Sequence, residues 1–234
     1  RIAMWSGPRN ISTAMMRAWE NRPDCTVVDE PFYAYYLRRT GLDHPGREEV
    51  LACQPTDWRA VARELTEGSL PAGVTLQYQK HMTHHLLPEV DRDAFAGLRH
   101  AFLIRDPAEV VVSYAKVRGE PTVEDLGLPQ QAELYERFGG PVIDARDVLR
   151  QPEAALRGLC AELGVGFDPA MLAWPPGDRP TDGVWAPYWY DSVRASTGFA
   201  PYTPRTVDVP DRLQPLLAEC RPYYDVLAAR AMTV

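Results

Sequence analysis

The sequence predicts an α/β fold, a three-layer sandwich around a mostly parallel central sheet of about five strands. Three observations predict it. Short apolar runs alternate with helical patterns along the chain, which is the signature of βαβ units. The first run, residues 1–6, passes through one turn directly into a helical pattern. Past Asp168 the chain changes character and turns rich in proline and aromatic residues.

Residues 1–6 form the first strand candidate, and residues 12–21 follow as a helix with Met15, Met16 and Trp19 at helical spacing. Residues 26–29 give a second strand and residues 74–78 a third. Residues 101–104 give the fourth, closed by Arg105-Asp106-Pro107, where Pro107 suits the first turn of a helix running to about Lys116. Val142-Ile143 makes the fifth strand, and residues 152–163 form a helix stopped at Gly164. Residues 169–210 hold three of the six tryptophans, Trp174, Trp185 and Trp189, and read as an ordered, loop-rich aromatic cover. A last helical region, residues 211–229, is expected to kink or break near Pro222. The chain is expected to form one domain, with residues 1–168 as the α/β core and residues 169–234 as the cover and final helix.

With 234 residues, 45% apolar and 24% charged, the composition is that of a soluble globular protein. No run approaches the roughly 20 apolar residues of a membrane span, and no signal peptide is expected before the first strand. A cytoplasmic protein without a membrane partner is therefore expected. A net charge of −7 argues against a nucleic-acid partner, but not against a small anionic ligand. Cys25, Cys53, Cys160 and Cys220 form no C-x-x-C pair, so no metal or redox centre is expected and the thiols are reduced. Assembly is left open, a homodimer included.

The turn Ser6-Gly7-Pro8-Arg9-Asn10-Ile11-Ser12-Thr13 carries the first chemical signal. Backbone N–H groups at a turn that opens a helix form an anion cradle. Ser12 and Thr13 are placed to cap the helix and offer hydroxyls, and Arg9 adds a permanent charge. The spacing is similar to the phosphate loop G-x-x-x-x-G-K-[ST], but Thr13 stands where the lysine would be and Ala14 where the magnesium-binding hydroxyl would be. That departure suits a phosphate site without a metal.

Three segments in order resemble the sulfotransferase family. Pro8-Arg9-Asn10-Ile11-Ser12-Thr13 resembles its 5′-phosphosulfate loop, P-[KR]-S-G-T-[ST]. Arg105-Asp106-Pro107-Ala108-Glu109-Val110-Val111-Val112-Ser113 resembles its 3′-phosphate motif, R-[DN]-P-x-[DE]-x-x-x-S. Ala145-Arg146-Asp147-Val148, then Pro152 to Cys160, is a looser likeness to the family's Y-E-D-L segment and its P-x-x-x-L-x-x-[IL]-C continuation. The resemblance implies a phosphate-loop-like fold and metal-independent transfer of a sulfuryl group. The donor it implies is 3′-phosphoadenosine 5′-phosphosulfate, and the acceptor a small-molecule alcohol. It assigns Gly7 to Thr13 to the 5′ end of the nucleotide, and Arg105 and Ser113 to the 3′-phosphate. The R-K-G-x-x-G element that closes over that phosphate in cytosolic members is missing; Ser196, Thr197 and Gly198 are the substitute considered.

Such a transfer needs a base for the acceptor proton. His81, in Gln79-Lys80-His81-Met82, resembles the family's K-x-H element, with His84 as the alternative register. Glu30, in Asp29-Glu30-Pro31-Phe32, is the second candidate, because other branches use a glutamate. Lys80, one of two lysines, is placed next to the bridging oxygen. Residues 185–190 are expected either to pack the cover onto the sheet or to stack adenine or wall the acceptor pocket. A phosphate-loop kinase and a non-catalytic nucleotide-binding module remain as other readings.

Overall fold

In a computed structural model describing residues 1–204 and 206–234, five parallel strands form one sheet in the order β2-β3-β1-β4-β5. They are β1 (Ile2–Ser6), β2 (Cys25–Asp29), β3 (Leu76–Met82), β4 (Arg99–Ile104) and β5 (Val142–Asp144). β1 lies at the centre and every one of its residues is buried, which is why it reads as an unbroken apolar run. Because β3 lies on one side of it and β4 on the other, the chain reverses direction of travel at β1. Crevices at such points, beyond the carboxyl ends of the strands, are where open α/β sheets bind ligands.

Alternation along β1 sends Ile2 and Met4 to one face, Ala3 and Trp5 to the other. On the first face pack α1 (Ser12–Glu20), α7 (Ala145–Arg150) and α8 (Pro152–Glu162), through Met15, Trp19, Val148 and Leu159 among others. On the second lie α2 (Tyr33–Thr40), α4 (Trp58–Glu67), α6 (Leu128–Phe138) and α11 (Gln214–Ala228), through Tyr35, Leu65, Leu134 and Leu227. The remaining helices are α3 (Arg47–Cys53), α5 (Pro107–Arg118), and two short ones, α9 (Ala186–Trp189) and α10 (Asp191–Arg194). The result is the helix–sheet–helix sandwich the sequence predicts.

Three local expectations are corrected. The third strand runs from Leu76 to Met82 rather than over residues 74–78, which places Lys80 and His81 inside it. α11 continues unbroken through Pro222. The bond that proline cannot donate is offset by the packing of Leu216, Cys220, Tyr224 and Leu227 along one side. Helices α2, α3, α4 and α6, absent from the sequence reading, fill the segments between the strands. Among the described residues no helix is long and apolar enough to cross a membrane.

Candidate active site

At the carboxyl end of β1 the chain turns through Gly7, Pro8, Arg9, Asn10 and Ile11 into α1. Gly7 is required by space: a Cβ there would lie 2.5 Å from the carbonyl oxygen of Leu126. Arg9 takes a left-handed conformation, φ +55°. Asn10 staples the turn, donating from Nδ2 to the Leu103 carbonyl at the end of β4 (3.0 Å) and accepting from the Ile11 N–H (2.9 Å). Ile11 is the N-cap residue and supplies no side-chain cap, so the expectation that Ser12 and Thr13 cap the helix is corrected. The first N–H groups of α1 therefore have no acceptor within the helix, and they open onto a cavity of about 370 Å³.

The motif at the end of β4 meets this loop. The Arg105 guanidinium donates to the Arg9 carbonyl (2.7 Å) and to Glu109 Oε2 (2.9 and 2.5 Å). Arg9 Nε donates to Ser113 Oγ (3.0 Å), two turns along α5. Segments about a hundred residues apart in sequence thus close into one cationic corner. Arg105 also borders a second cavity of about 230 Å³, shared with Asp144, Arg146, Tyr202 and Arg221 beside the ends of β4 and β5.

Glu30 faces the first cavity just past β2. It is the other non-glycine residue with positive φ, +40°, among the described residues. Residues held in that region cluster at functional sites. What holds it is Lys80. The Glu30 N–H donates to the Lys80 carbonyl (2.9 Å), and Lys80 Nζ donates to Glu30 Oε1 (2.6 Å). Lys80 Nζ also donates to Asp29 Oδ1 (2.8 Å) and to the Tyr190 hydroxyl (2.6 Å). Asp29 and Lys80 are register partners on neighbouring strands, and Tyr190 returns a hydrogen bond to Asp29 Oδ2 (2.7 Å). Burial disfavours the Lys80 ammonium, but Asp29, Glu30 and Tyr190 outweigh it and hold its pKa well above the ordinary value. Burial, opposed by Lys80 and aided by Asp29, lifts the Glu30 carboxyl above the ordinary carboxylate range.

An ammonium has three donors, and here all three have acceptors. Lys80 lines the cavity and, with its donors engaged by Asp29, Glu30 and Tyr190, holds Glu30 in place.

His81 is not brought to the cavity. Neighbours in a strand point to opposite faces, so with Lys80 and Met82 on the cavity side His81 turns to the other. There it stacks on Trp5 (centroids 4.2 Å), contacts Phe32 and Phe95, and bonds Gln79 Oε1 through Nε2 (3.1 Å). Burial, with His100 as a smaller influence, pushes its pKa down to about 3. His84, the alternative register, does border the cavity, and burial lowers it to about 4.

Ser196, Thr197 and Gly198 also lie elsewhere. Ser196 Oγ accepts from Trp174 Nε1 (3.0 Å), the Thr197 carbonyl from the Trp174 N–H, and Gly198 bridges Ala173. This triplet ties two segments of the cover to each other. Residues missed by the sequence reading are His44, His85 and Tyr114, which border the same cavity together with Tyr33. Of the aromatic stretch, Trp189 and Tyr190 reach it, whereas Trp185 is buried and packs on Tyr33.

A sulfotransferase domain family model matches residues 1–231. Branched-chain-amino-acid aminotransferase-like proteins 1 and 2 of Arabidopsis thaliana are 38% and 34% identical to the chain over 231 residues, 97% of it. The chain spans 41% of the length of each of these relatives. Among solved structures, the sulfotransferase domain from the curacin biosynthetic pathway superposes with a TM-score of 0.55 at 17% identity, covering 97% of this chain and 96% of that one. A sulfotransferase from Alicyclobacillus acidocaldarius gives 0.55 at 17% identity, covering 97% and 94%. At these identities the likeness speaks for the fold.

Proposed function

The chain belongs to the sulfotransferase domain family, and from that premise we propose that it moves a sulfuryl group from 3′-phosphoadenosine 5′-phosphosulfate to a hydroxyl of a small molecule. The observation that carries this reading is the meeting of the uncapped start of α1, Arg9 and Ser113 with Glu30 in one cavity. A cradle for a phosphosulfate and an acceptor for a proton then face the same space.

The residues fit such a nucleotide. The first N–H groups of α1 and the Arg9 guanidinium suit its 5′ end, where no lysine or metal-binding hydroxyl stands. Arg105 borders both cavities, as a ligand with phosphates at both ends would need. Arg146 and Arg221, with Tyr202 beside them, suit the adenosine end in place of Ser196, Thr197 and Gly198. When bound, the nucleotide supplies an activated sulfuryl group on a phosphate leaving group. The α1 N–H groups and Arg9 stabilise charge on that phosphate. Glu30 takes the acceptor proton on a carboxylate oxygen, and its raised pKa suits that task better than an ordinary carboxylate. Lys80, Asp29 and Tyr190 keep the carboxylate in place.

Calorimetric titration with 3′,5′-adenosine bisphosphate and with Mg·ATP tests this. Selective binding of the bisphosphate, weakened about tenfold or more by Arg105→Ala, is expected. Glu30→Gln is expected to keep that binding and lose transfer by about 100-fold or more. Preference for Mg·ATP would overturn the reading.

A further inference from the structure

One short run of the cover, residues 179–190, is tied to the helix of the phosphate cradle at one end and to the surroundings of Glu30 at the other. At the first end Asp182 Oδ2 accepts from Arg17 Nη2 on α1 (2.7 Å) and from the Arg179 N–H (2.9 Å). Arg17 Nη1 also donates to Glu20 Oε2 (3.1 Å), and Thr181 Oγ1 donates to the other oxygen of Glu20. The Arg17 and Asp182 side chains are 1% and 5% exposed, so solvent does not screen this pair as it does a pair on the surface.

The other end meets the buried pair of Asp29 and Lys80. Asp29 Oδ2 accepts from the Gly183 N–H (3.3 Å) and from the Tyr190 hydroxyl (2.7 Å). The Tyr190 oxygen in turn accepts from Lys80 Nζ (2.6 Å) and from Trp185 Nε1 (3.0 Å). One donated and two accepted bonds are the whole capacity of a hydroxyl, so Tyr190 is fixed from three sides. It fixes Lys80 Nζ, which grips Glu30 Oε1 at 2.6 Å.

We propose that residues 179–190 are a strap that sets the base: Tyr190 is a positioning residue for Glu30, and the Arg17–Asp182 pair holds the strap on α1, a proposal that rests on the sulfotransferase reading with Glu30 as base. With the strap down, Lys80 stays engaged and Glu30 stays sheltered. With it lifted, Asp29 and Lys80 lose Tyr190, and water reaches the Glu30 carboxyl. The base is thus made ready by a segment anchored on the helix that opens the phosphate cradle.

Two opposed influences give this arrangement a signature. Burial, the largest influence, raises the Glu30 pKa, and the Tyr190 hydroxyl is among the groups that lower it, with Lys80 lowering and Asp29 raising. Removing the hydroxyl alone should therefore move Glu30 up, whereas loosening the strap should relieve burial and move it down. His44, His84, His85, Tyr33 and Tyr114 border the same cavity, with Arg9 and Arg105 at its phosphate corner. Neither substitution alters them, so they act on wild type and variants alike.

The test is a pH series of infrared spectra on the whole chain, with Glu30→Gln subtracted so that the Glu30 carboxyl band stands alone. The same subtraction is made in Tyr190→Phe and in Asp182→Asn, and bisphosphate binding is measured alongside by calorimetry. In Tyr190→Phe the Glu30 midpoint is expected to rise by about half a pH unit or more. In Asp182→Asn it is expected to fall by about as much, with the strap amides exchanging hydrogen about tenfold faster or more. A midpoint that stays put or moves the opposite way, in either variant that still binds the bisphosphate, would overturn this inference alone. If Tyr190→Phe does not fold, the Asp182→Asn titration decides by itself. Failure of the wild-type chain to bind the bisphosphate would overturn the sulfotransferase reading and this inference with it.

Discussion

His81→Phe separates a histidine that does chemistry from one that is packed. In the folded protein His81 titrates near 3, against 6.5 for an ordinary imidazole. Above pH 6.5 it is neutral in both states and contributes nothing to the pH dependence. Below that, the unfolded chain takes up a proton that the folded one refuses, so stability falls by about 1.4 kcal/mol per pH unit until the folded pKa is reached. Between pH 7 and pH 5 this amounts to about 2 kcal/mol from His81 alone. Phenylalanine cannot protonate and keeps the stack on Trp5, but it leaves Gln79 Oε1 without its bond from His81, a pH-independent cost of about 1–3 kcal/mol. Urea unfolding should therefore find the variant less stable at pH 7, with the gap closing by about 2 kcal/mol at pH 5. His84 and His100, both lowered to about 4, impose acid slopes of their own on wild type and variant alike. Sulfuryl transfer at neutral pH should stay within a few-fold of wild type. A gap that does not close would refute the burial argument. Loss of transfer by about 100-fold in a folded variant that still binds the bisphosphate would return the base role to His81.

The cage around Lys80 predicts that Lys80→Met, which leaves Asp29 and Glu30 buried without their cation, costs about 3–5 kcal/mol. Thermal unfolding should show this as a fall of about 10 °C; a fall of only a degree or two would mean the cage adds little. Gly7→Ala drives a Cβ against the Leu126 carbonyl, so the turn must move. It should cost about 1–3 kcal/mol in denaturant unfolding and weaken bisphosphate binding in calorimetry. Ser196→Ala removes the acceptor of Trp174 Nε1 and should cost about 1–3 kcal/mol without changing bisphosphate affinity. A tenfold loss of affinity at unchanged stability would put Ser196 back at the nucleotide.

How far apart interacting residues lie along the chain decides which of them the sequence made legible. β1, the turn after it and α1 are contiguous, and period-2 and period-3.6 patterns with one glycine between them announce a strand, a turn and a helix. The joining of Arg105 and Ser113 to that turn was legible only through the motif resemblance, because nothing local says that β4 lies beside β1. α4 was there to be found: Asp57 accepts from the Arg59 N–H as an N-cap, and Val61, Ala62 and Leu65 form its buried stripe. The misplacement of His81 came from strand length. Ending β3 at Tyr78 leaves Lys80 and His81 in a loop, where both can face one site; extending it to Met82 invokes alternation and lets only one do so.

Lys80 shows the other kind of limit. Its partners come from 51 positions before it and 110 after, so no window of sequence reveals that its donors are spent. Glu30 is harder still, because a residue before proline prefers extended backbone, whereas Glu30 sits at φ +40°. That conformation persists because Lys80 grips both its N–H and its carboxylate, while Gln54 Nε2 and the Tyr33 N–H donate to its carbonyl. A backbone held against its preference, at the one carboxylate among the described residues that lines the cavity with the phosphate cradle, is a property of the assembled fold. It is also the physical reason for proposing Glu30, rather than the histidine whose motif suggested it, as the base.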